Sequence, residues 1–317
     1  MLLSVTSPST VIARQRMVNI GTTSPGHRVA ADLFLPAAGH ARPIAFCCLS
    51  GGGMSRRYWD LTPDTYSFAR WAAERGFPVI SADHLGTGGS TLPPRAAAPL
   101  LGEVVAANDA AFRILLDELR LDLPGLRSVG VGHSMGATLT VRQQAAHGTH
   151  DAVALLGFDT RGLPEHLPPE VLAAGSAGTP DDDRIAELTL RMFGSAYPVL
   201  PRGGTVGGDV HRESIATPVR QALDAAATEL FGAGGLLSIL PGNVAAEAAR
   251  LRVPVLVANG ARDPLLTGPR ASAEQYPAAA GVATVVLPDT GHNHNVAPTR
   301  HLLWRELARW AESALSP

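Results

Sequence analysis

The chain has 317 residues, with 26 basic residues against 28 acidic ones and a formal charge of −2. That balance offers no electrostatic footprint for nucleic acid and points to small partners that are not polyanionic. All of the basic residues are arginine, a coding bias shared with the abundance of Ala, Gly and Pro. No stretch of roughly 18 consecutive apolar residues occurs, and Met1 to Arg14 has no basic segment leading into an apolar one. The expectation is therefore a soluble, cytoplasmic protein with no membrane partner. The length suits one large core with an insertion as well as two average domains.

Taken in chain order, Val29 to Leu35 reads as a hairpin strand ended by Pro36. Ile44 to Leu49 is a second strand, carrying Cys47 and Cys48 on opposite faces, where they cannot readily pair. A helix is expected over Tyr66 to Arg75, a strand over Phe77 to Ala82, and a helix over Val104 to Leu119. Ser128 to His133 and Ala152 to Gly157 read as strands around a helix from Ala137 to His147. After a long interval come strands at Val253 to Ala258 and Val282 to Leu287, with helices over Pro269 to Ala279 and Pro298 to Leu315. The helical segments space their apolar residues by three and four, and the later strands are continuous apolar runs of the kind buried on both faces. Alternation of this sort predicts a mostly parallel sheet covered on both sides.

The interval of about ninety residues before Val253 is too long for a structureless loop. It opens with the Pro-rich Leu163 to Pro169, and helices are expected near Asp181 to Phe193, Thr217 to Phe231 and Asn243 to Leu251. The chain thus divides into residues 1–160, an inserted segment 161–250, and residues 251–317.

Gly132-His133-Ser134-Met135-Gly136 sits between a strand and a helix, the setting that a serine nucleophile elbow requires. A serine swung out at a strand end adopts a strained backbone, and its neighbours must be small. Bare G-x-S-x-G is weak, but its context is specific. A glycine loop, Ser50-Gly51-Gly52-Gly53, closes the strand ending at Leu49. Asp263 follows the strand Val253 to Ala258, and Gly291-His292 follows the strand ending at Leu287.

With Ser, Asp and His in that order, the chain resembles the α/β-hydrolase superfamily, in particular its cap-bearing serine esterases and thioesterases. The resemblance runs from about residue 27 to the C-terminus, outside the insertion, which it places over the active site as a helical cap. It implies Ser134 as nucleophile, His292 as base and Asp263 as the acid that fixes the imidazole tautomer. His294 competes with His292, and Asp159 with Asp263. Two backbone amides are needed for the oxyanion, and Met135 and Gly52 fit, with Gly53 next. The histidine that often precedes these glycines is Ser50 here, so its hydrogen bonds must be replaced or lost.

Asp83 to Ser90 resembles the family's glycine-rich loop after the fourth strand and is assigned to turn geometry, since it lacks the Lys and the helix of a phosphate loop. Asp289 reads as a turn residue, and Asp181 to Asp183 as helix capping rather than a metal site. Neither a metal nor a cofactor is expected. Tyr58 and Trp59 are candidates for the acyl pocket wall. In the insertion, Phe231 and Leu236 lead a set that also includes Met192, Phe193, Tyr197, Leu237, Ile239 and Leu240.

The expected activity is cleavage of a small apolar carboxylic ester or thioester through an acyl-serine. A carbon–carbon bond hydrolase or acyltransferase with the same triad, and a non-catalytic ligand-binding relative, are the alternatives. Serine at the elbow argues against epoxide hydrolase and dehalogenase chemistry, which uses a carboxylate.

Overall fold

The computed structural model describes residues 11–21, 26–37, 39–94, 98–175, 181–195 and 216–316. Eight strands form one sheet: β1 (Ile12–Asn19), β2 (Arg28–Leu35), β3 (Ile44–Leu49), β4 (Val79–Ala82), β5 (Arg127–His133), β6 (Ala152–Leu156), β7 (Val255–Gly260) and β8 (Val282–Leu287), in the order β1-β2-β4-β3-β5-β6-β7-β8. The β1–β2 and β2–β4 pairs are antiparallel, and all others are parallel.

The sheet has a helical layer on each face. Side chains alternate across β3, so Ala45, Cys47 and Leu49 join one core cluster while Ile44, Phe46 and Cys48 join the other. Both cysteines are buried and unpaired, as the strand's period of two requires. The first cluster includes α2 (Leu101–Asp122) and α3 (Met135–His147), and the second includes α1 (Phe68–Ala73) and α10 (Arg300–Ala314).

Differences from the sequence reading have local causes. β1 carries no strand signal in the sequence, because most of its residues are exposed and it shows no apolar face. β7 starts after Pro254 rather than at Val253. α9 (Pro269–Glu274) stops short of Ala279 because Pro277 disfavours helical geometry in Tyr276.

Between β6 and β7 the chain forms α4 (Pro169–Gly175), α5 (Asp182–Phe193), α6 (Thr217–Ala226), α7 (Gly232–Ile239) and α8 (Ala245–Ala248). The expected helix from Thr217 to Phe231 ends at Ala226, because the chain leaves helical geometry there and pairs Ala227 with Met54, and α7 begins only at Gly232, beyond the expected span. Among the described residues no helix is long and apolar enough to cross a membrane.

Candidate active site

Ser134 occupies the single residue between β5 and α3, at φ 55° and ψ −122°. This is a backbone region that L-residues avoid, and the surroundings enforce it. The two flanking glycines explain how. A Cβ on Gly132 would lie 2.4 Å from the Ala137 Cα, and one on Gly136 would lie 2.4 Å from the Leu49 carbonyl oxygen. Backbone fills both places, so only glycine lets the strand and helix close this tightly.

His292, on the loop after β8, has its Nε2 2.9 Å from the Ser134 Oγ and its Nδ1 3.1 Å from the Asp263 Oδ2. Asp263 lies just beyond β7, and its other carboxylate oxygen accepts from Leu265 N–H at 2.9 Å. The three side chains therefore form one hydrogen-bonded series from the ends of three parallel strands. Burial alone pushes the Asp263 carboxyl up. The charge and hydrogen bond of His292, together with the hydrogen bond of His294, outweigh it and hold the group well below the usual carboxylate range.

Neither competitor takes a place in that series. His294 is 1% exposed and stands behind the carboxylate, its Nε2 3.3 Å from Asp263 Oδ2 and 3.2 Å from Gly260 N. Asp159 accepts from Arg161 N–H at 2.7 Å, Gln275 Nε2 at 2.8 Å and the Thr267 hydroxyl, and so braces the acid loop and α9.

His133, inside the G-x-S-x-G motif, was not singled out from sequence. Its Nε2 bonds the His292 carbonyl at 2.8 Å, and Tyr58 stacks on its ring at 5.0 Å between centroids. Burial, reinforced by repulsion from His292 and His294, lowers its basicity and keeps the ring neutral. A neutral His133 is therefore a donor that ties the elbow to the histidine loop.

Gly52 and Met135 both border a cavity of about 310 Å³ that contains Ser134 and His292. Among the described residues, no hydrogen bond engages either backbone N–H. Met135 is the first residue of α3, where the helix dipole adds positive potential. The hydrogen bonds missing with Ser50 are replaced. The Ser50 hydroxyl donates to the Ser55 carbonyl at 2.9 Å, and His84 Nε2 bonds the Ser50 carbonyl at 3.2 Å, with Asn108 bonding the other ring nitrogen at 3.1 Å.

The glycine-rich loop turns around its own anion. The Asp83 carboxylate accepts from Gly89 N–H at 2.8 Å, Arg56 N–H at 2.6 Å and the Arg56 guanidinium at 2.6 Å. Arg56 also pairs with Asp32 at 3.0 Å. Asp181 caps α5 by accepting from Arg184 N–H, and among the described residues no cluster of His, Cys, Asp or Glu could hold a metal.

The cavity wall differs from the one expected. Tyr58 and Trp59 are each 1% exposed and do not line it. The chain turns under the glycine loop, sending both rings into the core cluster with Phe68 and Trp304. Phe231 and Leu236 are also buried away from the cavity. On α7 the lining residues are Gly235, Ser238 and Ile239, spaced by three and four, whereas Leu236 faces about 100° away. Leu163, His166, Met192, Phe193 and Leu230 complete the insertion's share, so that a histidine stands among its apolar side chains, and Met135, Phe158 and Leu265 form the apolar share of the core. Leu237 and Leu240 are fully buried, and Tyr197 lies outside the described residues.

A profile described as the alpha/beta hydrolase family matches residues 48–300. Solved structures similar to the chain include a thermophilic esterase from Thermogutta terrifontis, with a TM-score of 0.61 and 17% identity over 95% of this chain and 99% of that one. The enol-lactonase from Burkholderia xenovorans LB400 has a TM-score of 0.56 and 20% identity over 94% and 99%. A thioesterase domain from the curacin biosynthetic pathway has a TM-score of 0.58 and 15% identity over 93% and 99%. With most of its length matched by the family profile, the chain belongs to the alpha/beta hydrolase family.

Proposed function

We propose that the chain is a serine hydrolase that cleaves a carboxylic ester or thioester of a small apolar acyl group through an acyl-Ser134 intermediate. The observation that carries this reading is the series Ser134, His292 and Asp263, with contacts of 2.9 and 3.1 Å, opening on a cavity that two unengaged backbone amides border.

In this mechanism His292 Nε2 takes the Ser134 proton as Oγ attacks the acyl carbon. Asp263, held ionised, accepts from Nδ1–H and stabilises the imidazolium. The Gly52 and Met135 amides receive the developing oxyanion. His292 then returns the proton to the leaving alcohol or thiol. A water molecule, activated by the same imidazole, attacks the acyl-serine, and collapse of the second tetrahedral intermediate releases the acid and restores Ser134.

The insertion, residues 161–250, acts as the cap. Leu163, Met192, Phe193, Leu230 and Ile239 give most of its cavity-facing side an apolar surface, interrupted by His166 and Ser238, which supports an apolar acyl group. The similarity to an esterase, a lactonase and a thioesterase domain is consistent with acyl transfer to water, and the leaving group is left open between alcohol and thiol.

The test is labelling with a fluorophosphonate, followed by a panel of acyl esters and thioesters of graded chain length. Wild type should be labelled at Ser134 and turn over the shorter members, and Ser134→Ala should do neither. Labelling at another serine, or full turnover by the alanine variant, would sink the assignment.

A further inference from the structure

The stretch joining α6 to α7 does not pack as a helix over the cavity. It runs extended against the loop that carries Gly52. Met54 and Ala227 face each other in an antiparallel bridge. Ser55 N–H donates to the Ala226 carbonyl at 2.8 Å, and Thr228 N–H donates to the Gly53 carbonyl at 2.9 Å. The Ser55 hydroxyl adds a second bond to the Ala226 carbonyl at 2.8 Å. These rungs bracket the segment that immediately follows Gly52. The Thr228 hydroxyl accepts from Gly88 N–H at 3.0 Å and donates to Glu229 Oε2 at 2.7 Å. Thr228 thus joins three parts of the chain: the loop after β3, the glycine-rich loop after β4, and the insertion.

The loop after β3 needs such help. Gly51, Gly52 and Gly53 have no side chains with which to fix their peptide planes, and three consecutive glycines have the largest conformational freedom of any tripeptide. Its two ends are held from the loop after β4, Ser50 through His84 and Arg56 through Asp83. Its middle is a turn closed by the Met54 N–H bond to the Gly51 carbonyl at 3.1 Å, and from outside that turn is held by the insertion, through Thr228 N–H on the Gly53 carbonyl. An oxyanion donor stabilises a transition state only if it is oriented before the charge develops, and loss of one such donor lowers kcat by about 100- to 1,000-fold. A loop that must be rigid, made of residues that are not, takes its rigidity from what it is bonded to.

We propose that Thr228 is a positioning residue for the oxyanion hole, so that the insertion takes part in transition-state stabilisation as well as in substrate burial. The proposal rests on the acyl-Ser134 reading above. It predicts that loosening the Thr228 bonds affects the tetrahedral state more than the bound ester.

The experiment compares wild type with Thr228→Ser, Thr228→Val and Thr228→Pro. It measures kcat and KM on one short-chain ester, affinity for a trifluoromethyl ketone of the same acyl group, and thermal stability. Thr228→Ser keeps both bonds and should stay within about twofold of wild type. Thr228→Val loses the hydroxyl's hydrogen bonds and should lower kcat by about three- to tenfold with KM nearly constant. Thr228→Pro also loses the N–H bond to Gly53 and should lower kcat by about 10- to 100-fold, part of the cost of losing a donor outright.

In each variant the affinity for the ketone, which adds Ser134 and presents an oxyanion, should fall by the same factor as kcat/KM. Unchanged kcat in folded Thr228→Val, a rise in KM alone, or a fall in kcat with ketone affinity intact would overturn the proposal. Should the proline variant not fold, the valine variant decides. A wild-type protein that neither hydrolyses any ester nor labels at Ser134 removes the parent reading, a result separate from any difference among the variants.

Discussion

The floor and the roof of the cavity are built by different means. The floor consists of strand ends and their turns, where Ser134, Asp263 and His292 are placed by backbone geometry and by hydrogen bonds of 2.9 and 3.1 Å. The roof consists of helices whose side chains meet the cavity on one face and the interior of the insertion on the other. A floor residue is fixed by where its strand stops. A roof residue is fixed by the rotation of its helix, and one position along a helix turns it by about 100°.

The largest effect that would sharpen this contrast lies in the floor. Ser134→Ala and His292→Ala are each expected to reduce kcat/KM by three orders of magnitude or more, roughly the range seen when one member of a triad is removed. His294→Ala leaves His292 on both Ser134 and Asp263 and is expected to cost about tenfold. Steady-state kinetics on the three variants checks this, and a His294 variant as inactive as the His292 variant would mean that the placement of Asp263 depends on His294.

The next effect separates two neighbours in the roof. Leu236→Ala removes a fully buried side chain and should lower stability by about 2–5 kcal/mol without changing acyl-length preference. Ile239→Ala, on the cavity face, should shift that preference by about a few-fold to a few tens-fold with a smaller change in Tm. Chain-length profiles and thermal melts on the same pair decide the matter, and the reverse pattern would mean that α7 is rotated.

Acid tests the floor as a whole. Burial lowers the basicity of His84, His133 and His294 in the fold, so unfolding lets each take up a proton once the pH is below the ordinary imidazole value of about 6.5. Their folded values are depressed, so the stability they contribute is complete above that pH. It is lost as pH falls, by up to about 1.4 kcal/mol per group per pH unit. Asp263 acts in the same direction, but only below its unfolded value of about 3.9. Denaturant titrations at pH 7, 6 and 5 should show falling stability, with proton uptake on unfolding. A flat profile over that range would mean that these rings are protonated in the fold.

The smallest effect concerns the elbow's neighbours. Gly136→Ala sets a methyl against the Leu49 and Ser50 carbonyls and should cost roughly 1–3 kcal/mol by overpacking, read from the shift in Tm.

These contrasts explain what the sequence could disclose. Glycines 132 and 136, the order Ser134, Asp263, His292, and the apolar strands before them are local signals, and each marks a backbone event at a strand end. The helices of the insertion were legible as periodic stretches, but their rotation was not. α7, Gly232 to Ile239, carries one small polar side chain, Ser238, and no charged face, too little to mark from sequence which side meets the cavity. Tyr58 and Trp59 follow the glycine loop in sequence, yet the chain turns there into the core. The pairing of Ala227 with Met54 has no sequence signal at all, since it depends on two segments more than 170 residues apart meeting in the fold.

The backbone of Ser134 has a last consequence, for how such a protein ages and evolves. A serine held at φ 55° resists its own conformation, and glycine would not. Ser134→Gly, which loses the proposed nucleophile, is therefore expected to melt at a higher temperature than the wild type, with the difference set by about 1–3 kcal/mol of local strain. At this one position the proposed chemistry and thermal endurance would then be set against each other, since the residue that the backbone tolerates best has no hydroxyl.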